Sequence, residues 1–202
     1  VDIQASQFDS GLDYWFAENF LVWISIAVPI AVIVFAFLEL IFSLRAVPSS
    51  VSCALGGKIF VVGGSDGAQF LSSVESFDPV TDRWTVVAPM NKHRVRHGVV
   101  SAQGKIFSVG GCGPNDQGEY EALKSVECFD PTTRVWTTIA PLNEGRNFPG
   151  LAVLGDKLYA IGGYRLSSME CLDLSIPNGQ WTPVASMTMA REDFGAVVAD
   201  GK

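Results

Sequence analysis

Lys105-Ile106-Phe107-Ser108-Val109-Gly110-Gly111 is the stretch that decides the fold, because its pattern occurs three times in the chain. Each copy is a short β-rich run that ends on two glycines, which is typical of a strand followed by a tight turn. In every copy the lysine precedes the first glycine by five residues. The glycine pairs are Gly63 and Gly64, Gly110 and Gly111, and Gly162 and Gly163.

Further strands follow each glycine pair in a constant order. A second strand is predicted at 73–77, 125–129 and 168–172, and each of these contains a glutamate. A third begins at Trp84, Trp136 or Trp181, which we interpret as residues that anchor the packing of the sheets. Each tryptophan lies ten residues before an arginine, and each arginine lies four before a glycine. A unit of 45–52 residues in fixed order indicates a repeat architecture.

At these residues the sequence resembles the kelch family, whose repeat is one four-stranded blade of a β-propeller. The resemblance covers about 47–202, within a repeat domain that we predict at 45–202. It implies an all-β, partial kelch-type propeller with about three blades and the start of a fourth. A propeller typically closes with four to eight blades. We therefore expect the natural chain to continue past Lys202 with two or more further blades. Otherwise another copy or another subunit has to cover the open edges.

One type of loop varies in length, and this variation locates the predicted binding surface. From the second glycine to the serine of the next strand the intervals are 9, 14 and 5 residues, which is typical of loops that face solvent. In the kelch family these loops and the repeat arginines often form the binding face. The resemblance thus implies a set of partner-binding residues, which are Ser65, Asp66, Arg94, Arg96, Arg146, Tyr164, Arg165 and Arg191.

Residues 1–46 belong to a different physical class. An acidic and aromatic tail, 1–19, precedes an apolar stretch, 20–44, whose first nineteen residues carry no charge. This length is enough for a helix to cross a bilayer core of about 30 Å. We predict a single transmembrane helix that Pro29 kinks and that carries one acid, Glu39, near its end. Arg45 favours repeats on the cytosolic, stromal or matrix side, because basic residues accumulate there.

Composition argues against several classes of function. The net charge is −7 and no basic stripe is present, so we expect no nucleic-acid binding. The four cysteines form no Cys-x-x-Cys pair, and Cys128 and Cys171 take equivalent positions that favour buried small residues. His93 and His97 lie four apart in a predicted loop rather than a helix, so we expect no metal site. With no nucleophile elbow or phosphate loop, the sequence predicts neither an enzyme nor a cofactor.

Two hypotheses of function follow. The first is a membrane-anchored protein-interaction module whose propeller loops bind an acidic or polar segment of a partner. The second is an accessory single-span structural subunit of a large organellar membrane complex, photosynthetic or respiratory. It is motivated by the acidic tail, the aromatic residues beside the apolar stretch, Pro29 and the short distance to the first repeat. In addition, 29–45 is similar over fewer than twenty residues to single-span photosystem subunits. A third role, the ubiquitin-ligase adaptor known among kelch relatives, needs a recruiting domain that these residues do not contain.

Overall fold

The described part of the chain, residues 50–115 and 117–198 of a computed structural model, is built from β-strands. The predicted membrane helix, 20–44, with Pro29 and Glu39, lies outside these residues, as does the tail 1–19. Among the residues that are described, no helix has the length and apolar character needed to cross a bilayer.

Three four-stranded antiparallel sheets follow one another along the chain, and we call them blades 1 to 3. Blade 1 contains β1 (Val51–Leu55), β2 (Lys58–Ser65), β3 (Phe70–Asp78) and β4 (Arg83–Val87) in that order. Blade 2 contains β5 (Gly98–Ala102), β6 (Lys105–Val109), β9 (Val126–Asp130) and β10 (Val135–Ile139). Blade 3 contains β11 (Gly150–Leu154), β12 (Lys157–Gly163), β13 (Leu166–Asp173) and β14 (Thr182–Val184). The predicted all-β, propeller-type architecture is confirmed.

The predicted long loop of the second repeat contains structure of its own. Strands β7 (Cys112–Pro114) and β8 (Tyr120–Ala122) pair as a separate two-stranded sheet. A bridge between Val95 and Cys112 ties this sheet to the preceding blade. The predicted start of a fourth blade forms no strand within 185–198, the last residues that are described.

The hydrophobic core lies between the blades rather than within any one of them. Successive side chains of a strand point to opposite faces, and the second strand of each blade is a nearly continuous apolar run. Each sheet is therefore apolar on both faces and packs against a neighbour on each side where one is present. Between blades 1 and 2, the buried cluster includes Phe60, Val62, Ile106, Phe129 and Trp136. Between blades 2 and 3, it includes Phe107, Val109, Leu158, Leu172 and Trp181. Cys128 and Cys171 are free and buried at equivalent positions, as the sequence indicated.

The three repeat tryptophans do not share one environment. The indoles of Trp136 and Trp181 are buried, and their Nε1 atoms donate to the carbonyls of Ala88 (2.9 Å) and Ala140 (3.0 Å) in the preceding repeat. These two residues pack between blades, as an anchor does. Trp84 is 54% exposed and packs against Phe77 of its own blade.

Candidate binding surface

Most of the predicted partner-binding residues lie at one end of the blades, on a surface that we call the loop face. Antiparallel pairing brings together there the segments after the glycine pairs and the segments that carry the repeat arginines. Backbone hydrogen bonds join the two kinds of segment: Gly64 N, Gly111 N and Gly163 N donate to the carbonyls of Arg94 (3.0 Å), Arg146 (2.7 Å) and Arg191 (2.9 Å).

The first glycine of each pair is required by the close approach of this arginine segment. Gly110 and Gly162 have φ angles of 63° and 58°, in the left-handed region that favours glycine. A Cβ atom on either would lie 2.6 Å from the carbonyl oxygen of Arg146 or Arg191. The glycine pairs therefore allow the arginine segments to lie directly on the sheets.

Arg94 crosses from blade 1 into blade 2. Its Nη2 lies 2.6 Å from Oε1 of Glu127, and its Nη1 donates to the carbonyl of Gly110 at 2.9 Å. Both Nη1 and Nη2 also donate to Ser125, at its carbonyl and its hydroxyl. The guanidinium is 0% exposed, and Glu127 is 1% exposed. Burial lowers the pKa of Arg94, while the Glu127 carboxylate opposes that shift.

Arg146 repeats this arrangement between blades 2 and 3. Its Nη2 and Nε donate to Oε1 of Glu170 at 3.0 and 3.2 Å, and its Nη1 donates to the carbonyl of Gly162 at 2.8 Å. Burial alone would raise the pKa of Glu170, but hydrogen bonds from Asn143 and the Arg146 guanidinium outweigh it, and the pKa is lowered. Two equivalent asparagines complete the junctions, since Nδ2 of Asn91 and Asn143 donates to the Trp136 and Trp181 carbonyls.

These contacts correct the role predicted for Arg94 and Arg146. The resemblance predicts a partner-binding role for both, whereas the structure places their guanidinium groups in the interior, each against a carboxylate of the next blade. A buried charge is compatible with folding only when it is paired and hydrogen-bonded, and here it is both. We therefore assign these two arginines to the stability of the blade junctions.

Arg96 remains on the loop face. It is exposed, and its guanidinium carbon lies 5.0 Å from the centroid of the Phe148 ring. Arg96, Phe148 and Asp193 each follow a repeat arginine by two residues, and all three have positive φ angles of 56°, 57° and 52°. They line one cavity of about 450 Å³ beside the first residues of the inner strands β5 and β11. Equivalent positions of three repeats thus place a cation, an aromatic ring and a carboxylate around the same cavity.

Tyr164 and Arg165 form a second exposed pair on the same face. The Arg165 guanidinium carbon lies 5.0 Å from the centroid of the Tyr164 ring, and Tyr164 is 50% exposed. Arg191 is also exposed and lines a cavity of about 370 Å³ together with this pair. The third repeat arginine therefore differs from the first two in its environment.

Ser65 and Asp66 organise the loop of the first repeat. The Ser65 hydroxyl accepts from Gly67 N at 3.1 Å, and one Asp66 oxygen accepts from Ala68 N and Gln69 N, both at 2.8 Å. These backbone hydrogen bonds, with Gln69 first, lower the pKa of Asp66. Both side chains have acceptor capacity left for a ligand, but their first effect is to order the turn.

His97 is the residue whose environment the sequence analysis missed. Its side chain is 3% exposed, and neither ring nitrogen has a hydrogen-bond partner among the described residues. Burial, reinforced by the nearby charge of Arg94, lowers the pKa of His97 to about 3, so the ring is neutral. His93 is exposed, and its Nδ1 lies 2.9 Å from the Phe70 carbonyl. Within the described ranges, no group of three or more His, Cys, Asp or Glu side chains is arranged to hold a metal ion.

Comparison with known proteins decides the family. The sequence profile of the Kelch motif matches residues 48–91, 93–143 and 145–188, which together are more than half of the chain. The chain belongs to the kelch family. Its three matched motifs correspond to blades 1 to 3, including the arginine segment at the start of the second and third motifs.

Individual relatives are similar over part of their length. Human Kelch-like protein 28 is 38% identical over 117 residues, which are 56% of this chain and 19% of that protein. Bovine Kelch-like protein 36 is 32% identical over 152 residues, 71% of this chain and 24% of that protein. The chain thus spans about a fifth to a quarter of these relatives. The structure of YjhT superposes with a TM-score of 0.66 and 17% identity, covering 76% of this chain and 56% of that one.

Proposed function

We propose that this chain is a protein-interaction module whose loop face binds an acidic or polar segment of a partner protein. The observation that supports the proposal best is that two exposed arginines lie over aromatic rings, Arg96 over the half-buried Phe148 and Arg165 over Tyr164, each at 5.0 Å. Arginine and large aromatic residues are enriched at the centres of protein interfaces. Membership of the kelch family is consistent with a binding role.

The chemistry of these pairs favours a carboxylate-bearing partner. A guanidinium presents parallel N–H donors that match the two oxygens of a carboxylate. Stacking on Phe148 or Tyr164 restricts the arginine side chain before binding, so less conformational freedom is lost when a ligand docks. Asp193 lines the same cavity as Arg96, and its charge disfavours a second acid there, so the site would favour an acidic residue flanked by polar ones.

A matched set of arginine variants tests this proposal. Arg96, Arg165 and Arg134 all have positive φ angles, but Arg134 lies in the β9–β10 turn at the opposite end of blade 2. Replacing Arg96 and Arg165 together with alanine is expected to weaken capture of partner proteins at least about tenfold, as for truncated interface hot spots. The Arg134→Ala control removes an arginine with the same backbone conformation and is expected to bind normally. If the wild type, the double variant and Arg134→Ala capture partner proteins equally well, the two loop-face arginines do not bind the partner.

Membrane anchoring is part of the same proposal and rests on the sequence alone. The apolar stretch 20–44 is long enough to cross a bilayer, and Arg45 favours repeats on the cytosolic, stromal or matrix side. Alkaline extraction of membranes, followed by protease treatment of intact vesicles, tests both points. Release of the chain by alkali would contradict the anchor. The alternative of an accessory membrane-complex subunit rests on this stretch too, and predicts co-migration with a large assembly after the repeats are deleted.

A further inference from the structure

The junction between blades 1 and 2 contains a cluster of polar side-chain atoms that no protein group satisfies. Among the described residues, five buried side-chain nitrogen or oxygen atoms have no hydrogen-bond partner, and the fifth is Oδ1 of Asn147. The other four belong to this junction, namely Nε of Arg94, both ring nitrogens of His97 and the hydroxyl of Ser108. These three residues are 0%, 3% and 0% exposed. Buried polar groups are almost always hydrogen-bonded, so the concentration of unpaired atoms requires a physical explanation.

The strand register directs the Ser108 side chain toward blade 1. Ser108 lies two residues after Ile106, which packs in the core between blades 1 and 2, and alternate residues of a strand share a face. Its cross-strand partners are Val99, which packs against the same core, and Glu127. Residues that lie directly opposite each other on one face are close neighbours. Since Glu127 binds the Arg94 guanidinium at 2.6 Å, the Ser108 hydroxyl and this guanidinium are neighbours of one carboxylate.

His97 completes the cluster from the residue before β5. It precedes Val99 by two residues, and its ring carbon Cε1 lies 3.0 Å from the place that a Cβ atom on Gly63 of blade 1 would take. The ring therefore also points toward blade 1. Continuing the register of β5 and β6 places His97 opposite Gly110, diagonal to Ser108. Diagonal neighbours lie about 7–8 Å apart, a separation that suits two polar side chains joined by one bridging molecule.

The equivalent positions of the second junction are apolar or paired. His97 and Ser108 are replaced there by Pro149 and Ala160. The Nε atom of Arg146 donates to the carboxylate of that junction at 3.2 Å, whereas the arginine of the first junction binds its carboxylate through Nη2 alone. Two polar side chains and one unpaired N–H thus occur together at the first junction and are absent together from the matched positions of the second.

We propose that a buried water molecule between blades 1 and 2 bridges Ser108, His97 and Nε of Arg94. A buried water typically makes about three hydrogen bonds to polar groups that would otherwise be unsatisfied. The groups suit this role, because the guanidinium N–H donates, the hydroxyl both donates and accepts, and a neutral imidazole has one donor and one acceptor nitrogen. His97 also lines the cavity of about 450 Å³ on the loop face, which gives water a route to the site.

The position of this water site connects it to the loop face. Arg96 lies between Arg94 and His97 in the chain, and its guanidinium is exposed beside the same cavity. A water that links both of its sequence neighbours to blade 2 would fix the backbone that carries the exposed arginine.

A double-mutant cycle tests the proposal through energetic coupling. Urea denaturation of the full chain in mild detergent is compared for wild type, Ser108→Ala, His97→Phe and the double variant. We expect Ser108→Ala to raise the equilibrium constant of unfolding about fivefold, because the remaining buried groups lose a shared partner. The double variant is expected to be less destabilised than the two single effects combined, since either substitution displaces the same water. Ala160→Ser is the matched control, and its effect is expected to combine additively with that of His97→Phe.

Isotope labelling of histidine supplies a direct readout. The chain contains two histidines, so labelled protein gives one ring signal from the exposed His93 and one from His97. Transfer of magnetisation from water to the His97 ring, measured by the nuclear Overhauser effect, is expected in wild type and is expected to be lost in Ser108→Ala. The His93 signal, whose ring meets bulk solvent in both proteins, is the internal control.

Three results would overturn the proposal. The first is a Ser108→Ala variant as stable as wild type or more stable, since removing a hydroxyl that has no partner gives that result. The second is strict additivity of Ser108→Ala and His97→Phe. The third is a His97 ring that receives no magnetisation from water in wild type. Near-ultraviolet circular dichroism checks that each variant is folded, and if His97→Phe is not, the magnetisation transfer in wild type and Ser108→Ala decides.

Discussion

The junctions between the blades and the flanks outside them use the same residue types with opposite results. Arg146 and Arg191 occupy the same position in consecutive repeats, yet Arg146 is 0% exposed in a network of five hydrogen bonds and Arg191 is exposed. Glu127 and Glu75 differ in the same way. The repeat motif therefore fixes which residue stands at a position. Whether that residue is buried in a blade junction or exposed to solvent depends on whether a neighbouring blade packs against it.

The largest contrast is expected between two tryptophans. Trp136→Ala removes a buried indole from the core between blades 1 and 2, at an expected cost of about 3–5 kcal/mol in the free energy of unfolding. Trp84→Ala removes a residue that is 54% exposed, and we expect a cost of about 1 kcal/mol or less. Urea denaturation of both variants measures the difference. Equal costs would show that Trp84 is covered in solution.

A similar contrast is expected between two arginines. Arg146→Ala leaves the Glu170 carboxylate buried without its cation, which costs about 3–5 kcal/mol when a buried pair is broken. Arg191→Ala removes an exposed side chain, and its expected effect is within about 0.5 kcal/mol. The measurement is the free energy of unfolding, taken from urea denaturation of both variants in the same buffer. A large loss from Arg191→Ala under those conditions would contradict the structural contrast.

The two interior junctions should also differ in their response to pH. His97 lies at the first, where the second has Pro149 at the equivalent position. The pKa of His97 is about 3 in the folded state and about 6.5 in the unfolded chain, so the unfolded state binds the extra proton between these values. Stability therefore falls as the pH drops below about 6.5, by up to about 1.4 kcal/mol per unit.

Replacing this histidine isolates its contribution. His97→Phe is expected to flatten the dependence between about pH 6.5 and 5, a window above the usual pKa of carboxyl groups. The measurement is urea denaturation across that window. His93→Phe, at an exposed site in the same segment, is the control. An unchanged slope in His97→Phe would mean that the His97 ring is not held neutral in the folded protein.

The smallest effect is expected at the asparagine of the second junction. The side-chain Nδ2 of Asn143 donates to Glu170 at 2.7 Å and to the Trp181 carbonyl at 2.9 Å. Asn143→Ala is expected to cost about 1–2 kcal/mol, the range for lost hydrogen bonds that leave buried acceptors unpaired. Thr188 takes the equivalent position on the open flank, and Thr188→Ala is the matched control with little expected effect. Thermal melts of the two variants distinguish them.

The sequence did not predict which side chains of the candidate site are buried, and one physical reason explains this. The loop lengths and the glycine pairs predicted that the variable loops lie beside the arginine segments, and backbone hydrogen bonds join the two. Turn chemistry is local and repeats with the unit, so the sequence was sufficient for this placement. Whether a side chain is buried, in contrast, depends on the neighbouring blade and not on the residues next to it in sequence. The repeat spacing marks Arg94 and not Arg96, but it does not say that Arg94 is buried (0% exposed) and Arg96 exposed. That difference arises because the next blade places Glu127 beside Arg94. His97 was overlooked for the same reason.

The sequence alone determined the strands, the blade order and the family, since alternation, glycine pairs and the tryptophan–arginine spacing are properties of one repeat. The membrane helix predicted at 20–44 stays a prediction, since that stretch lies outside the described residues. Only the tertiary structure decided which arginines are interior, which tryptophan is uncovered and where cavities form beside the inner strands. These properties depend on the neighbouring blade, because an apolar or charged side chain at a sheet face is buried only when a second sheet packs against it.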